Sequence, residues 1–216
     1  MTDNNTRITG IGSALVDVLI NESDAFLETL GKEKGGMTYH DDAEISNILD
    51  KSLQKPLIVP GGAACNTIVG VANLGGQARF IGTRGKDSFG DLFEKQICAC
   101  GVEPELSLSQ TPTGKVLSVV TPDAQRSMFT DLGASTQMDP GKIVPELFAD
   151  TAIAVIEGYL LFNPGLMKTC LKAAKKAGAM VALDLASFEV VNASKDLLDE
   201  IIEAHVDILI ANEDEA

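Results

Sequence analysis

Between Val59 and Gly76 the chain reads VPGGAACNTIVGVANLGG, with an apolar helical pattern running from Ala64 to a second Gly-Gly pair. Glycines at 61 and 62, just before that helix, leave backbone N–H groups uncovered by any Cβ, so a polar ligand can come close to them. Asn66, one turn in, offers both a donor and an acceptor. A sugar suits such a site, because each hydroxyl removed from water needs its own partner. The same small residues would also serve tight packing of the helix on a sheet. Three further polar residues stand at the ends of apolar runs: Glu157 after IAVI, Asp184 after VAL and Asn212 after ILIA. In open α/β sheets ligands bind in the crevice beyond the carboxyl ends of the strands, where these three side chains would converge. Polar residues also mark strand ends with no ligand involved.

The elements that must hold these residues alternate between strand and helix patterns. Short, β-branched apolar runs at 8–20, 78–83, 115–121, 152–158, 180–185 and 207–212 read as strands, and 64–74, 88–99, 165–177 and 195–204 read as helices. The last three strands recur at intervals of roughly 25 to 30 residues with one helix between each, the spacing of right-handed βα units in a mostly parallel sheet. The fold class expected is α/β. Thr113 to Ala134 has a different texture: alternating residues run to Pro122-Asp123, a natural turn, and RSMFTD follows, which predicts a hairpin. With the segment around Asp17 and with Gly35 to Asp41, that hairpin builds either a small separate sheet acting as a lid or an extension of the main one.

Several motifs fail. Gly10-Ile11-Gly12 is followed by Leu15 where a dinucleotide fingerprint needs its third small residue, which disfavours a nicotinamide-dependent oxidoreductase. The Gly-Lys pairs at 31–32, 85–86, 114–115 and 141–142 lack the upstream glycine and following Ser or Thr of a phosphate loop. His40 and His205 are the only histidines, too few to complete a zinc site with Cys98 and Cys100 or to suggest a Ser-His-Asp arrangement. All four cysteines, Cys65, Cys98, Cys100 and Cys170, sit in apolar surroundings and read as buried free thiols.

Composition narrows the classes. With 216 residues, 45% hydrophobic and 22% charged, the chain can bury the core of one large domain. Its net charge of −14 would repel a nucleic acid or an anionic membrane surface. The polar start MTDNNTRITG has no basic region followed by an apolar one, and no apolar run reaches membrane-spanning length, so a cytoplasmic location is expected.

Gly61 to Val102 presents Gly-Gly, Asn, Leu-Gly, Phe-Ile-Gly, Gly-x-Asp and Gly in an order that strongly resembles the first signature of the PfkB (ribokinase-like) carbohydrate kinases, over about 40 residues. GIGSALVDVLI, TPDAQRSMFTDLGA, IEGYLL and ANEDEA extend the likeness over most of the chain, closest in texture to the adenosine kinase and sugar kinase branch. The resemblance implies a doubly wound, mostly parallel α/β core with a small β lid, built from segments around 13–41 and 113–131 within a single kinase domain over 1–216. It implies transfer of a phosphoryl group from ATP, with Mg2+, to a hydroxymethyl group of a sugar or nucleoside. Asp17 would bind ring hydroxyls from the lid, Gly61, Gly62 and Asn66 would hold them from the core, and Glu157 would stand near the sugar. Asn212 and Glu215 match the family's Asn-x-x-Glu motif, which organises magnesium and phosphate, with Asp184 a further candidate. Arg126 and Met37 are candidates for the pocket's border. Pairing of lids into a homodimer is compatible with the resemblance.

The family's later Gly-Ala-Gly-Asp segment, whose Asp is the general base, has no counterpart in this sequence. The expectation is therefore the C-terminally truncated, N-terminal portion of a kinase: the acceptor side present, the base beyond Ala216, and the chain alone inactive. The alternative is a non-catalytic sugar- or nucleoside-binding protein.

Overall fold

A computed structural model describes residues 6–31 and 34–216. Lys32, part of one Gly-Lys pair and of the 13–41 segment, lies outside the described residues. In chain order the elements are β1 (Arg7–Ile11), β2 (Leu15–Asn21), α1 (Asp24–Thr29), β3 (Met37–Tyr39), α2 (Asp42–Lys51), β4 (Leu57–Gly61) and α3 (Ala63–Asn73). There follow β5 (Ala78–Gly85), α4 (Ser88–Ala99), β6 (Val102–Ser109), β7 (Thr113–Val120), β8 (Arg126–Gly133) and β9 (Thr151–Glu157). The chain ends through α5 (Pro164–Lys176), β10 (Met180–Asp184), α6 (Phe188–Ala193), α7 (Lys195–His205) and β11 (Ile208–Ile210).

Six strands form the core sheet in the order β11-β10-β9-β1-β5-β6, every pair parallel. Alternation along each strand supplies both faces, as a parallel sheet covered on both sides requires. Ile11, Ile81, Ala154, Ile156, Val181 and Leu183 pack with α5 and α7 on one face, whereas Phe80, Val155 and Ala182 join α3 and α4 on the other. This is the α/β fold expected from the strand and helix rhythm, doubly wound as the resemblance implies. Helix α5 has Pro164 in its first turn and Asn163 as its cap, accepting from Leu166 N at 3.1 Å; Lys175 and Lys176 in its last turn complement the helix dipole.

A second, mixed sheet of five strands runs β3-β8-β7-β2-β4. The predicted hairpin is its β7–β8 pair. Val16, Val18, Ile20, Leu117, Val119 and Phe129 form its apolar face, packed with Leu27 of α1 and with Ile45 and Ile48 of α2. Asp17, one residue out of step with Val16 and Val18, projects from the opposite face.

The single strand expected over 8–20 is corrected: it is β1 of the core sheet and β2 of the second sheet, separated by Gly12, Ser13 and Ala14. Both halves are apolar enough for either sheet, so the pattern carried no sign of the change. β4 and β6 were not anticipated. Each contains a proline, Pro60 and Pro104, which argues against a central strand; both lie at sheet edges, where a missing N–H costs no ladder bond.

Candidate functional site

The register of the core sheet sets three of the polar residues in a row. Glu157 ends β9 opposite Asp184 at the end of β10, and Asp184 lies opposite Ile210, two residues before Asn212. Adjacent strands are about 4.8 Å apart, so the row spans about 10 Å along the carboxyl edge. Asp184 Oδ1 accepts from Ala186 N at 3.2 Å and closes the turn after β10. Asn212 and Glu215 hold each other: Asn212 N and Nδ2 donate to the two Glu215 oxygens at 3.1 and 2.9 Å, and Asn212 Oδ1 accepts from Asp214 N and Glu215 N. Among the described residues no group of three or more His, Cys, Asp or Glu side chains is placed to hold a metal ion.

The glycine pair stands where the second sheet returns to the core. Gly61 ends β4 opposite Leu15, and Asp17 is opposite Val59, so the Asp17 carboxylate lies directly over Gly61. A Cβ on Gly61 would sit 2.5 Å from Asp17 Cγ, so any larger residue there would displace the Asp17 carboxylate. Gly62 follows with φ +98, a left-handed conformation natural to glycine, and begins α3 without any side-chain cap. Asn66 is exposed one turn in. Burial pushes the Asp17 pKa up, and the charge of Arg126 partly opposes that. The residues expected to bind hydroxyls from two sides, Asp17 and the Gly61-Gly62-Asn66 stretch, are thus brought together.

Glu157 is the most deeply placed of the set, 1% exposed. Its Oε2 accepts from Ser13 N at 3.3 Å and from Ala64 N at 3.2 Å. Burial raises its pKa, the bonds from Ser13 and Ala64 counter that, and the neighbouring Asp184 charge adds to the rise. Cys65, between this carboxylate and Asp17, has its thiol pushed up to about 12, by burial first and then by both negative charges.

Beside this cluster, and sharing Ser13 with it, opens a cavity of about 360 Å³ walled by Tyr39, Leu132, Tyr159, Leu160 and Phe162. Tyr39 comes from the second sheet and Tyr159 from the turn after β9, so the cavity lies between the sheets. Burial raises the pKa of both tyrosines, and Glu189 adds to each, so both hydroxyls stay protonated. Sequence reasoning missed these aromatic residues and Ser13. Tyr159, two residues past Glu157 in IEGYLL, was the available signal: an aromatic side chain immediately beyond the carboxyl end of a strand. Arg126 acts on Asp17 through its charge, whereas Met37 lines a different recess with Gly35, Gly36 and Met128. The cysteine expectation is corrected in part. Cys65 and Cys170 are buried, but Cys98, one residue off the buried Gly90-Phe93-Ile97 stripe of α4, is exposed, and Cys100, at the helix C-cap, is half-buried.

An all-parallel core sheet joined to a smaller mixed sheet, with a site between them, is the ribokinase-like architecture. A probable sugar kinase from Rhizobium etli superposes with a TM-score of 0.86 at 30% identity, over 98% of this chain and 66% of that one. The adenosine kinase from Sinorhizobium meliloti gives 0.84 at 29% identity, again over 98% and 66%. The adenosine kinase of Saccharomyces cerevisiae is 30% identical over 183 residues, 81% of this chain and 53% of the relative. Residues 41–216 match the pfkB family carbohydrate kinases, and the chain belongs to that family. It spans about half the length of the curated full-length relatives it matches. No helix of the described residues is long and apolar enough to cross a membrane.

Proposed function

We propose that this chain provides the acceptor side of an ATP-dependent kinase that phosphorylates the hydroxymethyl group of a nucleoside. The observation that carries the reading is the Asp17–Gly61 contact. A carboxylate partly withdrawn from water, held against an open backbone at the start of α3, is a strong acceptor for two neighbouring ribose hydroxyls. Gly62 and Asn66 complete the hydroxyl partners from the core, and the second sheet serves as the lid. The cavity walled by Tyr39, Tyr159 and Phe162 is lined by aromatic side chains and largely apolar, which suits a purine or pyrimidine base better than a free sugar.

Transfer by in-line displacement depends on positioning and on charge stabilisation, and a bound magnesium would supply the latter. Magnesium takes oxygen ligands and keeps several waters. Asn212 and Glu215 fit an ion held through water and phosphate, since both Glu215 oxygens already accept from Asn212. The role of this chain's residues is then to orient the acceptor and to exclude water that would compete with it.

Calorimetric titration with adenosine, and with D-ribose as the base-free control, tests the reading. Adenosine should bind and ribose should bind at least about tenfold more weakly, for want of the aromatic wall. Asp17→Ala should weaken adenosine by about 10- to 100-fold, the worth of one or two hydrogen bonds to a charged group. Equal affinity for ribose, or no effect of Asp17→Ala, would refute it.

A further inference from the structure

The chain passes between the two sheets four times: through Gly12–Ala14 from β1 to β2, at Gly62 from β4 to α3, through residues 110–112 from β6 to β7, and at Gly133 as β8 ends. These passages touch in pairs. A Cβ on Gly62 would overlap the Ser13 carbonyl oxygen, so the first two run in contact. Ala134 N donates to the Pro112 carbonyl at 2.7 Å, and a Cβ on Gly133 would overlap that same oxygen, so the last two do as well.

One core carboxylate reaches each pair: Glu157 holds both members of the first, whereas Asp87 holds the third passage, to which the fourth is tied by the Ala134–Pro112 bond. Glu157 joins Ser13, in the first passage, to Ala64, in the helix turn that follows the second, through a single oxygen. Asp87 caps α4 by accepting from Gly90 N at 2.8 Å, but it also takes Thr113 N at 2.7 Å and Thr113 Oγ1 at 2.8 Å. Thr113 is the first residue of β7, and its hydroxyl accepts in turn from Gly85 N at 3.0 Å. An ordinary cap engages only the helix's own amides. Here the same carboxylate also grips the strand leaving for the other sheet. Ser13, Ala64 and Thr113 lie where ladder bonding stops, so their amides depend on these acceptors.

We infer that Glu157 and Asp87 are paired positioning residues that fasten the two necks of the molecule and so set the angle between the sheets. The second sheet cannot tilt without pulling Ser13 from Glu157 or Thr113 from Asp87. The amides of the first neck share one Glu157 oxygen at 3.3 and 3.2 Å, whereas Asp87 takes Thr113 N and Oγ1 on separate oxygens at 2.7 and 2.8 Å, so the Glu157 neck yields first and the Asp87 neck serves as the pivot. The consequence for substrate rests on the acceptor-site reading: the angle decides how far Asp17 stands from the Gly61–Asn66 stretch. The fastening itself does not depend on that reading.

The test uses the 216-residue chain. Spin labels on Lys51→Cys in α2 and Lys172→Cys in α5, both exposed, in a background of Cys98→Ser and Cys100→Ser, read the distance between the two sheets. Amide hydrogen exchange reads the necks. Glu157→Ala should broaden the distance distribution and speed exchange at Ser13 and Ala64 by about 10- to 100-fold, while Val155 and Phe80 in the core sheet keep wild-type protection. Glu157→Gln, which retains an acceptor oxygen, should restore most of both. Asp87→Asn keeps an acceptor for Gly90 but loses the one for Thr113 N, so it should speed exchange at Thr113 with α4 intact. An unchanged distance distribution in both Glu157→Ala and Asp87→Asn would overturn the inference, as would exchange rising equally at Val155 and Phe80. Should Glu157→Ala not fold, Asp87→Asn alone decides. None of these readouts involves a ligand, so failure of the adenosine titration would leave them standing.

Discussion

Gly62→Ala is the most informative single change at the neck. The residue has φ +98, and a side chain in that region costs about 1–2 kcal/mol. The added methyl would also overlap the Ser13 carbonyl oxygen, a backbone atom that cannot turn aside, and overpacking of that kind costs about 1–3 kcal/mol. Together the loss is about 2–5 kcal/mol, a large share of the ~5–15 kcal/mol that holds a typical domain folded. A chain of this size shifts by about 2–4 °C per kcal/mol, so Tm should fall by roughly 4–20 °C. Gly70→Ala is the internal control. It lies in the same helix with nothing within 4 Å of its added Cβ, and it should stabilise by about 0.5–1 kcal/mol through helix propensity. Urea unfolding followed by far-ultraviolet circular dichroism gives both values. A loss below about 1 kcal/mol for Gly62→Ala, or shifts of the same sign for the two variants, would refute the reasoning.

Three further outcomes follow from the same structure. Asp17 has a folded pKa above 3.8, so its contribution to stability is fully present below that value and is lost as pH rises through the raised one; the urea midpoint of Asp17→Asn should therefore gain on wild type between about pH 4 and pH 7, and parallel curves would contradict this. A disulfide reagent at neutral pH should modify Cys98 first and Cys100 more slowly, leaving Cys65 and Cys170, whose thiols are pushed up to about 12 by burial, untouched until the chain unfolds; four equal rates would refute that arrangement. Asp41→Ala removes the capping box of α2, in which Asp41 accepts from Glu44 N at 2.8 Å, and should cost about 0.5–2 kcal/mol in a urea titration.

The core was legible in the sequence wherever local chemistry and tertiary burial agreed. The helix expected over 88–99 is α4 because Asp87 caps it and its apolar spacing faces the core. β9, β10 and β11 were readable as parallel neighbours because helical segments of regular total length separate them, although the short α6 before α7 was not anticipated. What escaped was set by long-range partners. Nothing around Gly12 announces that the chain leaves one sheet for another. The edge strands β4 and β6 each carry a proline, and β6 polar residues as well, which locally argue against strand. Gly61, Gly62 and Asn66 drew notice from their own types, a glycine pair before a helix and an amide one turn in. The placement of Asp17 over Gly61 depends on the register of β2 with β4, which no local pattern encodes. Two of the partners of Glu157 are backbone amides, and these have no residue type by which to be recognised.

The parallel pairing of β2 with β7 has a consequence for biosynthesis. Asp17 faces Val116 across that pair, and all of β3, β4, β5 and β6 lie between them in sequence. At ~5–20 residues per second, the ribosome delivers β7 on the order of ten seconds after β2. During that interval β2 has only the edge strand β4 as a sheet neighbour, and β1 awaits β9, which is made later still. Such long-range parallel closures are slow and leave strand edges exposed to other chains. Asp17 thus reaches its paired surroundings only once β7 is made, and synthesis speed and chaperone supply bear on yield even for variants whose finished fold is unchanged.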